Sequence, residues 1–236
     1  MQFSCFINTI YISLFIVFGT VYVLRYELYM KDPPETLNTA YDKALPIMLL
    51  AAYVTSTKQP DTNHLNESER LLKFVILGLM LSSLGDVCLI FPKTLFIPGL
   101  VVFMVAHASY SYAFGSCIRT KCMQIVFALL WMAGIILIKK NNNTFMMEMA
   151  YTCVFFYSIW RATTTCQCQQ TIGAFIASHG AILFISSHFL IAINRWVFPV
   201  PKCEFFVMVT CYVAQLVIVL GTNPSFNVRA IQIEAE

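Results

Sequence analysis

A carboxylate, three imidazoles and a few hydroxyls sit where an apolar sequence can least afford them. Asp86 lies in a long apolar stretch over residues 71–92, next to Ser82 and Ser83. Holding a charged Asp near a bilayer centre costs roughly 2.5 to 3.5 kcal/mol on insertion scales, so such a group is neutral, paired or used. His107, Ser109, Tyr110 and Ser111 occupy a second apolar stretch, His179, Ser186, Ser187 and His188 a third, and Tyr212 and Gln215 a fourth. Together they suggest a polar pocket in an apolar bundle, with the residue types of general acid–base chemistry or a proton relay. The structural alternative is a buried Asp86 satisfied by Ser82, Ser83 and backbone, with histidines packed and hydrogen-bonded in a core.

The elements that must position these residues follow from composition. Of 236 residues, 58% are hydrophobic and 11% charged, against about 25% charged in a soluble domain. The chain reads as an all-α membrane protein. Apolar stretches near the length of a spanning helix occur at about 3–24, 44–56, 71–91, 95–117, 123–138, 145–160, 173–193 and 205–221. They predict a bundle of eight transmembrane helices forming one domain over 1–221, followed by a short polar tail over 222–236. The second stretch is short and carries Pro46 near its start, where a first helical turn tolerates proline. The first lacks a basic leader and a small-residue cleavage site and reads as a retained helix.

Between the spans the segments are short and polar, so the chemistry belongs inside the bundle or at a lipid-facing mouth. Lys58, Arg70, Lys73, Arg119, Lys121, Arg161 and Arg229 are assigned to loops on the side of the termini, against eight cations opposite. That balance gives no orientation under the positive-inside rule. The sequons at Asn66 and Asn142 fall on opposite sides, which leaves room for use of at most one. The net charge of +3 contains no basic run suited to a phosphodiester backbone, which argues against nucleic acid as a partner. Nine cysteines, mostly within spans, read as small hydrophobes. Cys166 and Cys168 form a loop C-x-C with no second ligand pair at zinc spacing, so no metal is expected.

Depth brings some of these residues to one level. Asp86 lies six residues before Pro92 and His188 six before Asn194, each about 9 Å from the same face at 1.5 Å per residue. Lys43, just before the second span, approaches that face, where a cation meets a lipid phosphate or simply snorkels. His107 and Tyr110, three apart, share a helix face.

The motifs Leu84-Gly85-Asp86 with the exit Leu89-Ile90-Phe91-Pro92, Ala106-His107-x-x-Tyr110, Gly173-Ala174 and Phe184-Ile185-Ser186-Ser187 resemble the YhhN-like lysoplasmalogenase family. Ala192-Ile193-Asn194-Arg195, Phe198-Pro199-Val200-Pro201 and Tyr212-Val213-Ala214-Gln215 are similar to its animal, transmembrane protein 86 branch, and Lys43-x-Leu45-Pro46 resembles the family's approach to its second span. The likeness runs from about residue 40 to 221. It implies an eight-span hydrolase of internal membranes such as the endoplasmic reticulum. The expected reaction cleaves the vinyl ether of lysoplasmalogens to a fatty aldehyde and glycerophosphoethanolamine or glycerophosphocholine, without a cofactor.

Enol ether hydrolysis begins with a proton delivered to carbon, so the resemblance makes Asp86 the expected general acid. Desolvation disfavours the charged form of a carboxyl group and would keep it protonated. Ser83, His107, Tyr110, Ser187 and Gln215 are expected to support the pocket, and Lys43 to hold phosphate. Where the resemblance implies Ser-Asp, as in many animal members, this chain has Ser187-His188. His188 is then the second expected catalytic residue, accepting a proton from water as a neutral imidazole. The alternatives are a catalytically impaired homologue that binds lysolipid, or a proton-coupled transporter of a small solute.

Overall fold

A few hydroxyl caps decide where the helices of this chain begin. A computed structural model describes residues 2–30, 34–57, 65–115, 129 and 145–223. Among them are seven α-helices: α1 (Gln2–Tyr22), α2 (Leu37–Ser56), α3 (Leu65–Leu89), α4 (Pro92–Ala113), α5 (Phe145–Gln169), α6 (Ile172–Ala192) and α7 (Cys203–Gly221). Two π-helical stretches, Val23–Tyr29 and Ile193–Val197, prolong α1 and α6. Five helical segments are long and apolar enough to cross a membrane: Phe6–Tyr29, Glu69–Leu89, Pro92–Ala113, Ile172–Arg195 and Cys203–Gly221. The fold is all-α and the protein is a multi-pass membrane protein. The expected span at 123–138, the Asn142 sequon and residues 224–236 of the tail lie outside the described residues.

Two helices run furthest beyond their expected bounds, each for a local reason. Thr36 caps α2 by accepting from the Thr39 amide at 3.3 Å, so the helix begins at Leu37 instead of near residue 44. Lys43 therefore lies in its second turn, and Pro46 falls in the helix interior, where it cannot donate to the carbonyl of Asp42. The polar first half, with Asn38, Thr39, Asp42 and Lys43, keeps α2 outside the set of five.

α5 continues nine residues past the expected end at 160. The hydroxyls of Thr163, Thr164 and Thr165 donate to the carbonyls of Ile159, Trp160 and Arg161, each at 2.9 Å. These local bonds let a polar run remain helical. Arg161, expected in a loop, is thus inside a helix. Cys166 and Cys168 occupy its last turns; Cys166 is free, whereas Cys168 is disulfide-bonded and is no mere small hydrophobe. Gln170 stops α5 with a left-handed φ of 50°, and Thr171 caps α6 through the Ala174 amide at 3.2 Å.

The chain divides into two compact units, Met1–Ala113 and Phe114–Glu236. In the first, α1 packs on α2, α2 on α3 and α3 on α4. Small residues bring α3 and α4 close: a Cβ on Gly78 would lie 2.6 Å from the Tyr110 ring, and one on Gly85 would lie 2.7 Å from the Phe103 ring. In the second, α6 meets α5 and, more extensively, α7. Here the α6–α7 contact is backbone on backbone. A Cβ on Gly180 would lie 2.7 Å from the Ile218 amide nitrogen, and one on Gly221 2.5 Å from that of Ala177. Small residues that admit such approach are the usual basis of helix association in membranes.

Because backbone cannot rotate aside, Gly180→Ala and Gly221→Ala should each destabilise the protein by about 1–3 kcal/mol, the usual range for overpacking. Gly99→Ala, where the nearest atom is the Cys88 Cβ at 3.0 Å, should cost less. Thermal unfolding of the purified variants in detergent checks the order; equal melting of all three would refute the backbone seam.

Candidate active site

Asp86 sits in the last turns of α3, one position past Gly85. That offset turns it away from the face where Gly85 receives Phe103, and toward α2. The carboxylate is 2% exposed, and its Oδ1 lies 3.9 Å from Nζ of Lys43, whose side chain is also buried. Lys43 does not snorkel. Nor do the neighbouring serines satisfy Asp86: Ser82 donates to the Gly78 carbonyl at 2.8 Å, and Oδ2 of Asp86 has no hydrogen-bond partner among the described residues. Ser83 is buried beside it in sequence. The outcome is a cation and a carboxyl group at the edge of contact, with one carboxyl oxygen uncommitted.

The π-helical end of α1 braces this pair. The Tyr26 hydroxyl donates to Oδ2 of Asp42 at 2.9 Å, fixing the residue before Lys43, and the Tyr22 hydroxyl donates to Oε1 of Glu27 at 3.1 Å. Tyr22 and Tyr26 are buried with their rings 5.2 Å apart. The five-residue spacing from Tyr22 to Glu27 matches the wider π turn, a feature that recurs at functional sites. Sequence reading missed this brace. The signal lay in the adjacent Asp42-Lys43 and in two tyrosines four apart, Tyr22 and Tyr26, at the end of an apolar helix.

His107 and Tyr110 share the buried face of α4, as their spacing predicts, each 2% exposed. Tyr110 lays its ring on Gly78 of α3, and the Ser111 hydroxyl donates to the His107 carbonyl at 2.8 Å. They belong to the first unit with Lys43, Ser83 and Asp86.

Ser187, His188 and Gln215 belong to the second unit. His188 is 1% exposed on α6; its ring meets Phe184 edge-on at 4.6 Å between centroids and Phe155 of α5 at 5.9 Å. Nδ1 lies 3.0 Å from the Phe184 carbonyl. A carbonyl only accepts, so Nδ1 carries the proton there and Nε2 is the basic nitrogen. Ser187 donates to the same carbonyl at 2.7 Å. Gln215 is fully buried on α7; its Nε2 donates to Sγ of Cys211 at 3.7 Å, while its Oε1 has no partner among the described residues.

A buried Lys–Asp pair, with the carboxyl Oδ2 open, joins α2 to the helix that carries the Gly85-Asp86 motif. The profile of the YhhN family matches residues 38–222. The chain belongs to the YhhN family. Among curated relatives, it is 31% identical over 161 residues to "Lysoplasmalogenase TMEM86A" of Bos taurus, covering 64% of this chain and 65% of that protein. It is 26% identical over 213 residues to "Lysoplasmalogenase TMEM86B" of Homo sapiens, covering 89% and 85%. The match thus spans just under two thirds of the bovine relative's length. No solved structure matches the chain. The family match begins at residue 38 and so takes in Lys43, Asp86, Arg161 and His188, while leaving out the π-helical brace at Val23–Tyr29.

Removing one member of a buried pair strands the other and typically costs 3–5 kcal/mol, whereas replacing both with apolar groups is often neutral. Lys43→Met should therefore destabilise the protein by about 3 kcal/mol, and adding Asp86→Leu should recover most of that loss. A double-mutant cycle by detergent-phase unfolding reads the coupling; additive effects would mean that the two groups do not interact.

Proposed function

We propose that this YhhN-family protein is a lysoplasmalogenase. In this reading it hydrolyses the vinyl ether of a lysoplasmalogen to a fatty aldehyde and glycerophosphoethanolamine or glycerophosphocholine, in the endoplasmic reticulum membrane. The described helices and the segment at 123–138 then make eight spans. The observation that carries the reading is the buried Asp86, with Lys43 at one carboxyl oxygen and nothing at the other. The names of the relatives support the substrate class.

The chemistry follows from that geometry. With Asp86 protonated, its free Oδ2 delivers the proton to the vinyl carbon remote from oxygen, and the electron pair of the double bond forms the new C–H bond. The cation that results is an oxocarbenium ion, stabilised by the carboxylate just formed, while the Lys43 ammonium balances that carboxylate. Water adds to the cationic carbon and its proton returns to Asp86. The hemiacetal then collapses: its hydroxyl gives up a proton and becomes the aldehyde carbonyl, the bond to the glycerol oxygen breaks, and that oxygen takes up the proton and leaves as the alcohol. Ser83, His107 and Tyr110 shape the pocket around this carboxyl group. Lys43 is engaged with Asp86 rather than reserved for phosphate.

A second reading keeps the lipid and drops the turnover. It rests on Ser187-His188, where the family resemblance implies Ser-Asp, and makes the chain a lysolipid-binding homologue with impaired catalysis. A single assay separates the two. Purified protein is incubated in detergent with alkenyl lysophosphatidylethanolamine, and released aldehyde is measured. Wild type should release aldehyde. Asp86→Asn should lower the rate by about 100-fold or more, the scale of losing a general acid, and Lys43→Gln should lower kcat more than it raises KM. Absence of aldehyde from wild type would leave the binding reading, and a rise in rate in His188→Asp would assign the impairment to that position. Full activity in Asp86→Asn would remove Asp86 as the acid.

A further inference from the structure

The second unit holds a buried cation that the proposed reaction does not use. Arg161 is 7% exposed on α5. The ion pairs among the described residues are Lys43–Asp86, Glu69–Lys73 and Glu35–Lys93, and none involves Arg161. Its Nε is buried without a hydrogen-bond partner. The next residue back, Trp160, also buries an indole N–H, Nε1, without an acceptor. The same stretch of helix carries buried hydroxyls at Ser158, Thr164 and Thr165.

Two consecutive residues of α5 thus each bury an N–H donor that has no acceptor among the described residues. An arginine does not lose its proton to escape burial. No carboxylate among the described residues pairs with it. The fork of the guanidinium fits a tetrahedral oxyanion through two parallel bonds, the geometry that makes arginine a phosphate ligand. We propose that Arg161, with Trp160 beside it, is a binding site for a phosphate group, and that the phosphate is carried by the head group of a single-chain lipid. The choice of a lysophospholipid as carrier rests on the proposed function; the anion site does not.

Arg161 lies eight residues from the C-terminal end of α5 at Gln169, about 12 Å along the helix. Inorganic phosphate is the other source of the same chemistry, and the test separates them.

The experiment measures binding of 1-O-hexadecyl lysophosphatidylethanolamine, whose saturated ether cannot undergo the reaction, to the full-length protein in nonionic detergent. Quenching or enhancement of tryptophan fluorescence reports it. Wild type should bind with an affinity that weakens as salt is added. Arg161→Gln should bind roughly tenfold or more weakly, the scale of losing a charge-assisted hydrogen bond, and Arg161→Lys, which keeps charge but loses the fork, should fall between. 1-O-hexadecylglycerol, which lacks phosphate, should not distinguish wild type from either variant. A lipid site requires the lysophospholipid to bind where inorganic phosphate alone does not shift the melting temperature. Arg161-dependent stabilisation by inorganic phosphate without lipid binding would overturn the lipid assignment.

Equal lipid affinity in folded wild type and Arg161→Gln would overturn the site itself. So would loss of the folded, monodisperse state in both variants, because Arg161 would then be a structural residue. The hydrolase reading fails separately: Arg161-dependent binding without aldehyde release leaves the anion site standing, and aldehyde release indifferent to Arg161→Gln leaves the hydrolase standing without it.

Discussion

The first unit is organised around the separation of Lys43 and Asp86. Each charge alone would be intolerable in that environment, and even as a pair they recover their desolvation only with good geometry and further hydrogen bonds. At 3.9 Å, with one carboxyl oxygen unbonded, this pair is not optimised for stability. Much of the surrounding architecture follows from it. α2 must begin early enough to carry Lys43 on a helical turn, which the Thr36 cap achieves. Tyr26 must hold Asp42 so that the next residue faces α3. Gly85 must admit Phe103, so that α4 closes over one side of Asp86 while the other remains turned to the lysine.

Seen this way, the two units treat buried charge differently. The first neutralises its cation internally and leaves an acid oxygen available. The second leaves its cation without a described counter-charge, beside an indole N–H in the same condition. An internal pair of this kind is suited to moving a proton, because the partner absorbs the change in charge. A cation lacking such a partner is suited to holding an anion. Those are separate tasks, and they ask for separate kinds of burial.

How far the sequence revealed this depended on the residue. Asp86 was legible because a lone carboxylate interrupts an apolar run, and hydropathy also located α3, α4, α6 and α7 closely. The pairing with Lys43 was not, because which helix faces which is a tertiary matter that periodicity within one helix does not carry. Pro46 reads as a first-turn signal and puts Lys43 ahead of its helix, whereas the Thr36 cap, eight residues before the second apolar stretch, sets the start. Arg161 was missed for a related reason. A charge after Trp160 looks like the end of a span, but three consecutive threonines can satisfy their hydroxyls on the preceding turn and carry the helix onward. His107 and Tyr110 followed their spacing because that inference needs only the helix they share.

The seam between α6 and α7 has a dynamic implication. Side chains at an ordinary helix contact can change rotamer and let one helix slide or roll against the other. At Gly180 and Gly221 the contact is made by backbone atoms, which have no rotamers to change. α6 and α7 are therefore held in a register that no change of side-chain rotamer can relax.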